Sequence, residues 1–378
     1  MDRVIPFNRQ LSLPGEGKWI SDSIASGRCA GDGPKSRECE QILESVLDVV
    51  KVIQTTSCTH ALEMAALLLN VGEGDEVIVP SYTFVSTANA FALRGAKIVY
   101  SDIRPDTLNL DEQQLESLVT SKTKAVVPVH YAGVGCEMDV IVEIAARNDF
   151  AVIEDNAHGL FGKYKGQWLG SFGSLATQSF HETKNFSCGE GGALLINDKS
   201  LIDRAYVIRE KGTNRKQFFQ GQVDKYTWVD LGSSYVMSDI LGAFLSGQLR
   251  LREEVMSRRC QIWENYKNSL SDWAGLNEVR LPVIPSHCQQ AYHLFYLLLP
   301  SLAHRQALIQ HLKIRGISAV FHYQPLHLSE FGKRCGRKGV ECPVSEDVSD
   351  RLLRLPMFYN LSDCEQERVI EAIREFEV

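Results

Sequence analysis

From about residue 50 to residue 200, short runs of β-branched and aliphatic residues alternate with amphipathic helical patterns. This alternation limits the fold more than any other feature of the chain. The apolar runs predict strands over 76–79, 97–102, 124–129, 151–154, 176–180 and 193–196, and the stretches between them carry helical spacing, as at 61–69, 112–119 and 138–147. Strands that are apolar at nearly every position are buried on both faces, so the pattern requires a largely parallel sheet covered by helices on both sides: an α/β fold. Ligands of such sheets lie beyond the carboxyl ends of the strands. The residues that follow each run are therefore the first candidates for chemistry.

A chain of 378 residues has room for two units. The reading divides it into a large domain, 1–245, which includes an N-terminal substrate segment, and a smaller C-terminal α+β domain, 246–378. A long helix over 238–270, with Leu241, Phe244, Leu245 and Leu249 as its apolar stripe, is expected to join them. Strands are expected over 290–300 and 318–323. A final helix begins at a capping box, Ser362 to Glu365, and presents Val369, Ile370 and Ile373 on one face. Residues 328–348, with Lys333, Arg334, Arg337 and Lys338 among few apolar residues, read as a mobile surface loop, with an active-site lid as the functional alternative.

Forty basic against forty-seven acidic side chains give a net charge of −7. That excludes the broad basic footprint of a nucleic-acid or anionic-membrane binder, yet leaves room for a local basic pocket. No apolar run reaches transmembrane length, and the first residues have no signal-peptide core, so a cytoplasmic protein is expected. The ten cysteines form no CxxC pair and read as free thiols in a reducing compartment. No grouping of His, Cys and carboxylates has metal-ligand spacing, and no metal is expected.

Two residues at strand ends carry the chemical reading. Asp155 closes the run 150–153, and Lys184 follows the run ending near Phe180. One lysine and one carboxylate so placed are what pyridoxal phosphate (PLP) requires: the lysine forms the Schiff base, and the carboxylate keeps the pyridine nitrogen protonated so that the ring acts as an electron sink. The bland alternative is a surface Lys184 paired with Glu182. His181 and His158 lie beside these residues and either touch the cofactor hydroxyl, relay protons or are structural; His130 is equally open. Thr55 to Leu62 is a polar loop entering an apolar helix, suited to a phosphate, or else a plain N-cap by Ser57 or Thr59. Phe84, in 80–89, stacks on a flat ring or belongs to the core. The glycines at 189–192 let the backbone pass close to the cofactor.

These pieces, in this order, resemble the DegT/DnrJ/StrS family of sugar-nucleotide aminotransferases, a PLP-dependent group of fold type I, over nearly the whole chain. The quoted segments are 26–34, 56–59, 80–89, 154–158, 179–185, 322–327 and 353–356. The resemblance implies that Lys184 holds the cofactor and shuttles a proton, with Asp155 on the pyridine N–H and His181 nearby as a catalytic group. Phe84 covers one ring face, Ala157 leaves space on the other, and His158 approaches the ring hydroxyl. Ser57, Cys58, Thr59 and Ser179 form the phosphate cup, with Cys58 where glycine is usual. Ser234 takes the place of a cross-subunit asparagine, and Val236 that of an arginine. Gly31, Asp32, His322, Tyr323 and His327 are the implied substrate contacts, and the family's sites imply at least a homodimer.

Segments 82–91, 209–215 and 221–228 are most similar to the branch that forms dTDP-4-amino-4,6-dideoxygalactose from L-glutamate and dTDP-4-keto-6-deoxyglucose, for antigen polysaccharides. The alternatives are the gluco epimer, a 3-keto sugar, or a GDP- or UDP-linked sugar. From another class comes a non-catalytic regulatory protein on the same fold. The family's dehydratases carry histidine at the place of Lys184.

Overall fold

The computed structural model describes residues 4–377. Its main sheet has seven strands: β1 (Lys51–Thr55), β2 (Glu76–Pro80), β3 (Lys97–Ser101), β4 (Thr123–Val126), β5 (Ala151–Asp155), β8 (Leu175–Ser179) and β9 (Gly192–Ile196). The chain also forms β6 (Lys163–Tyr164) and β7 (Gln167–Trp168), which pair with β10 (Cys288–Gln289) in a small separate sheet. The order across the main sheet is β1-β9-β8-β5-β4-β2-β3, and β9 alone runs against its neighbours. The carboxyl ends of β1, β2, β5 and β8 therefore share one edge, and β9 begins at that edge.

Side chains along these strands alternate between two buried layers, as a pleated strand covered on both faces demands. Ile53, Val77, Val79, Ile98, Ala125, Ile153, Leu175 and Leu194 pack against α3 (Cys58–Leu68), α4 (Val85–Ala92) and the helix at Ile202–Arg209. Val52, Ala176, Ala193 and Leu195 face helices Pro34–Leu47 and Asp239–Arg250. Ile78, Val99, Val126 and Val152 face helices Glu112–Leu118 and Met138–Arg147. The expected strands and helices stand within a few residues of their places; β1, polar at Gln54 and Thr55, is an addition.

A second core lies toward the C-terminus. Trp263, Tyr266 and Leu270 pack with Phe295, Leu297, Leu353, Val369, Ile370 and Ile373, and Ile5 is buried among them. Its sheet joins β11 (Tyr296–Leu298), β13 (Leu352–Arg354) and β12 (Val320–Phe321). The capping box at Ser362 and Glu365 is formed.

Three expectations are corrected. The single helix over 238–270 is two, Asp239–Arg250 and Arg252–Leu276, broken at Leu251 (φ −98°, ψ 20°). The strands expected over 290–300 and 318–323 shrink to β11 and β12, because Gln290 to Phe295 is spent on irregular backbone that lines the site. Residues 328–348 are not a mobile loop. They contain helix Glu330–Cys335 and the start of Pro343–Arg351, with Cys342 fully buried and the Asp102 carboxylate capping the latter helix at the Val344 and Ser345 amides (both 2.8 Å). Among the described residues no helix is long and apolar enough to cross a membrane.

Candidate active site

At the shared carboxyl edge the chain encloses a cavity of about 680 Å³. Asp155 closes β5 and is buried in its wall. Its Oδ2 accepts a hydrogen bond from Thr87 Oγ1 (2.8 Å) and its Oδ1 one from the Ala157 amide (3.2 Å). Thr87 is itself paired with Thr83 (2.9 Å). Behind Asp155, the fully buried Glu154 accepts hydrogen bonds from the amides of Gly170, Phe172 and Gly173 (2.7, 2.7 and 2.8 Å) and meets His130 Nε2 at 2.9 Å. His130 is therefore structural.

Lys184 lines the same cavity and forms no ion pair with Glu182 or any other carboxylate among the described residues. Burial lowers its ammonium to about 8, against the opposing pull of Asp155, with Arg354 adding to the lowering. A neutral amine is thus accessible near neutral pH, as a nucleophile toward a carbonyl must be. The next residue fixes the loop: Asn185 donates to the Ala291 carbonyl (2.7 Å) and its Oδ1 meets His293 Nδ1 (3.0 Å).

Helix α3 points its first turn into the cavity. Ser57 is its N-cap, accepting from the His60 amide (3.1 Å), and Thr59 Oγ1 meets Ser86 Oγ (2.8 Å). First-turn amides lack intrahelical acceptors and favour an anion. Gly192 crosses directly beneath: a Cβ there would come within 2.3 Å of the Ser57 carbonyl carbon. The glycine-rich turn therefore approaches the start of α3. Burial pushes the Cys58 thiol up to about 12, so it is no thiolate.

His158, His293 and His322 line the opposite wall; His158 stacks on His293 with ring centres 4.3 Å apart. Burial drives all three well below the usual imidazole range, and neighbouring cations deepen the shift, so they are neutral. Nδ1 of His158 is buried without a hydrogen-bond partner. PLP fits this set: an amine for its aldehyde, a carboxylate for its pyridinium, a helix start for its phosphate and an unpartnered imidazole for its hydroxyl.

The cavity brings together Ser57, Cys58, Thr59, Phe84, Asp155, Ala157, His158, Ser179, His181, Lys184, His322 and Tyr323. Phe84 is 57% exposed, a ring left open to a ligand rather than a core residue. His181 sits at the rim, 3.0 Å from Thr183 Oγ1 and 3.6 Å from Glu190. Gly31, Asp32, Ser234 and His327 do not line it. Asp32 is turned to Arg209 (3.1 Å), and a Cβ on Gly31 would overlap the Val236 side chain. Ser234 is exposed, in a bridge with Glu210. His327 is fastened to Ser81 (2.6 Å) and Glu346 (3.1 Å). Among the lining residues not read as site residues are Thr87 and Arg354, which lie inside the quoted segments 80–89 and 353–356, and His293 and Phe7, whose segments were not singled out.

Comparison with known proteins gives the family and its cofactor. The DegT/DnrJ/EryC1/StrS aminotransferase family matches residues 16–374. Spore coat polysaccharide biosynthesis protein SpsC of Bacillus subtilis is 32% identical over 382 residues, covering 99% of this chain and 97% of its own. The crystal structure of a DegT DnrJ EryC1 StrS aminotransferase from Brucella abortus superposes with a TM-score of 0.87 at 32% identity, over 96% of this chain and 95% of that one. The PLP form of the putative sugar aminotransferase Spr1654 from Streptococcus pneumoniae gives 0.89 at 28% identity, over 98% of both chains. The chain belongs to the DegT/DnrJ/EryC1/StrS aminotransferase family and is a PLP-dependent aminotransferase of fold type I.

Proposed function

We propose that this family member acts on a nucleotide sugar, converting dTDP-4-keto-6-deoxy-D-glucose and L-glutamate to dTDP-4-amino-4,6-dideoxy-D-galactose and 2-oxoglutarate, as a cytoplasmic homodimer. The observation that carries the chemistry is the Lys184 amine, lowered to about 8 in a cavity that also holds Asp155. The choice of sugar rests on the likeness of segments 82–91, 209–215 and 221–228 described above, and the relative SpsC is a spore coat polysaccharide biosynthesis protein.

Bound PLP supplies a conjugated ring that takes up the electron pair left when the donor's Cα–H bond breaks. Asp155, oriented by Thr87, keeps the ring nitrogen protonated. Ser57, Thr59, Ser179 and the first turn of α3 hold the phosphate, with Cys58 lining the cup. Phe84 would cover one face of the ring, Ala157 would leave the other open, and His158 would meet the hydroxyl. Lys184 takes the proton from the donor Cα and, in the second half of the cycle, delivers one to C4 of the sugar; His181 at the rim relays protons to solvent. His322 and Tyr323 contact substrate.

Gly31, Asp32 and Ser234 lie outside the protomer's own cavity, and we assign them to the site of the neighbouring copy. Leu231 and Leu93 are exposed at 52% and 63% on a shallow groove lined also by Tyr235, Leu67, Glu63 and Arg94, a mixed face suited to a second copy.

The test is an absorbance spectrum of the PLP-loaded protein, recorded before and after L-glutamate and then after the ketosugar. Loss of the PLP band with glutamate and its return with the ketosugar, followed by NMR of the product to read C4, supports the proposal in full. A response to glutamate alone leaves the transaminase and refutes the sugar. Absence of any PLP band, in the wild type as in Lys184→Ala, moves the regulatory alternative to first place. A fully active monomer removes the cross-subunit assignments.

A further inference from the structure

We infer that Arg259 and Asn185 form a positioning relay that holds the Lys184 loop, an inference that rests on Lys184 as the lysine that takes PLP. Lys184 stands at the border of an exposed turn and a buried segment. Glu182 and Thr183 before it are exposed, and its own amide donates to the His181 carbonyl within the same turn (2.9 Å). Asn8 reaches that turn with a long bond, from Nδ2 to the Glu182 carbonyl (3.3 Å). The firm grip comes one residue later. Asn185 is buried, and its Nδ2 donates to the Ala291 carbonyl (2.7 Å), which leaves Oδ1 to accept from Nδ1–H of His293 (3.0 Å).

Between those two partners lies Tyr292, whose φ of 49° is in the left-handed region that a tyrosine rarely adopts. Such a conformation persists where its surroundings over-determine it. Arg259, buried on the helix Arg252–Leu276, supplies the constraint: Nε donates to the Tyr292 carbonyl (2.9 Å) and Nη2 to the His293 carbonyl (2.5 Å). From the other side the Ala291 amide donates to the Gly133 carbonyl (2.9 Å). The carbonyls of residues 291, 292 and 293 are thus all taken, the first by Asn185 and the next two by Arg259. A guanidinium withdrawn from water is costly, and its planar fork serves two adjacent carbonyls as a point charge cannot. The strained turn serves the site twice. It presents the two partners of Asn185, and it stacks the His293 ring on His158 with centres 4.3 Å apart and 28° between the planes. Arg259 therefore joins the long helix of the C-terminal core to the lysine loop through residues 291–293.

The experiment uses PLP-loaded wild type, Asn185→Ala, Arg259→Met and Arg259→Lys. Two readings need no substrate: the resting absorbance, and the circular dichroism of the same band per bound PLP, which reports whether ring and lysine keep one orientation. The third is the steady-state split of kcat from KM for L-glutamate. In Asn185→Ala and Arg259→Met the inference expects a retained absorbance, dichroism reduced by about half or more, and kcat reduced about 10- to 100-fold with KM within about threefold. Arg259→Lys, able to serve one carbonyl, should recover part of both losses. Lowered melting temperatures with wild-type dichroism and kcat leave only a structural role and overturn the inference. So does a raised KM with kcat retained, which makes the cluster a donor contact. If Arg259→Met does not fold, Asn185→Ala and Arg259→Lys decide on the same readings. A wild type that ignores glutamate refutes the donor named above and leaves the dichroism to decide the relay. A PLP band that survives in Lys184→Ala refutes the lysine assignment itself, and the relay with it.

Discussion

Thr87 Oγ1 donates a 2.8 Å hydrogen bond to Oδ2 of Asp155, on a carboxylate whose other oxygen is held by the Ala157 amide. Both oxygens are thus fixed by neutral donors, which orient the carboxylate while leaving its negative charge for a ring N–H. Thr87→Val keeps the shape and removes the hydroxyl. The loss of one such bond is worth about 1 kcal/mol, so kcat should fall roughly 5- to 10-fold while PLP affinity stays within a few-fold. Steady-state kinetics with a PLP titration decide it, and an unchanged kcat makes the hydroxyl dispensable.

Lys184 should make the apoprotein pH-sensitive. Its ammonium is lowered by burial from 10.5 to about 8, so the charged form costs the folded state. The penalty is in full force below pH 8, where the lysine is charged both folded and unfolded, and it lifts as pH rises from about 8 toward 10.5. Lys184→Met should stabilise the apoprotein below pH 8, on the order of 1 kcal/mol once partial exposure is allowed for, and the gap to wild type should close by pH 10. Thermal melts of both proteins across that range measure it. A gap independent of pH would show that the amine is not desolvated.

What was legible in the sequence follows from what each signal depends on. The sheet could be read because Val, Ile and Leu runs report local geometry, and Asp155 and Lys184 could be read because each follows such a run. Strand β1 was missed because Gln54 and Thr55 break the apolar run, and their burial comes from tertiary partners: the Gln54 amide is bound by Glu40 from another helix. Segment 353–356 was noticed but Arg354 was given no role, and His293 was not singled out, because the two reach the cavity only through the pairing of β13 and the irregular segment before β11. Residues 328–348 misled because Lys333 and Arg334 sit on the helix Glu330–Cys335 and Arg337 is paired with Glu76 (3.1 Å), while Cys342 and Val340 supply the packing.

Glu154 should matter for stability more than for chemistry. It is fully buried and accepts from three backbone amides, so the Glu154→Gln variant must place an NH₂ group against at least one N–H donor. A buried donor left unsatisfied costs about 1–3 kcal/mol, more beside a charge, and the melting temperature should fall by several degrees. Differential scanning calorimetry checks this. A wild-type melting temperature would mean that the loop from Gly170 to Gly173 does not depend on the carboxylate.

Gly192 supports the start of α3 through absence of a side chain. It pairs with Thr55 in β1 and Ser179 in β8, so it cannot move without carrying both strands, and an added Cβ would lie 2.3 Å from the Ser57 carbonyl carbon and 2.4 Å from the Cys58 nitrogen. Both clashing atoms are backbone, and they belong to the turn that presents the first amides of the helix to the cavity. In Gly192→Ala the turn must shift away from β9, and PLP affinity should fall about 10- to 100-fold, by loss of well-aimed hydrogen bonds to a dianion. Gly17→Ala is the matched control, because it has open space around it in the helix Glu16–Ala25, where alanine stabilises by about 0.5–1 kcal/mol. Equilibrium dialysis of PLP against the three proteins separates the outcomes. Equal affinities would show that the α3 start does not bind the phosphate, whereas weakened binding in Gly192→Ala alone ties the glycine to the cup.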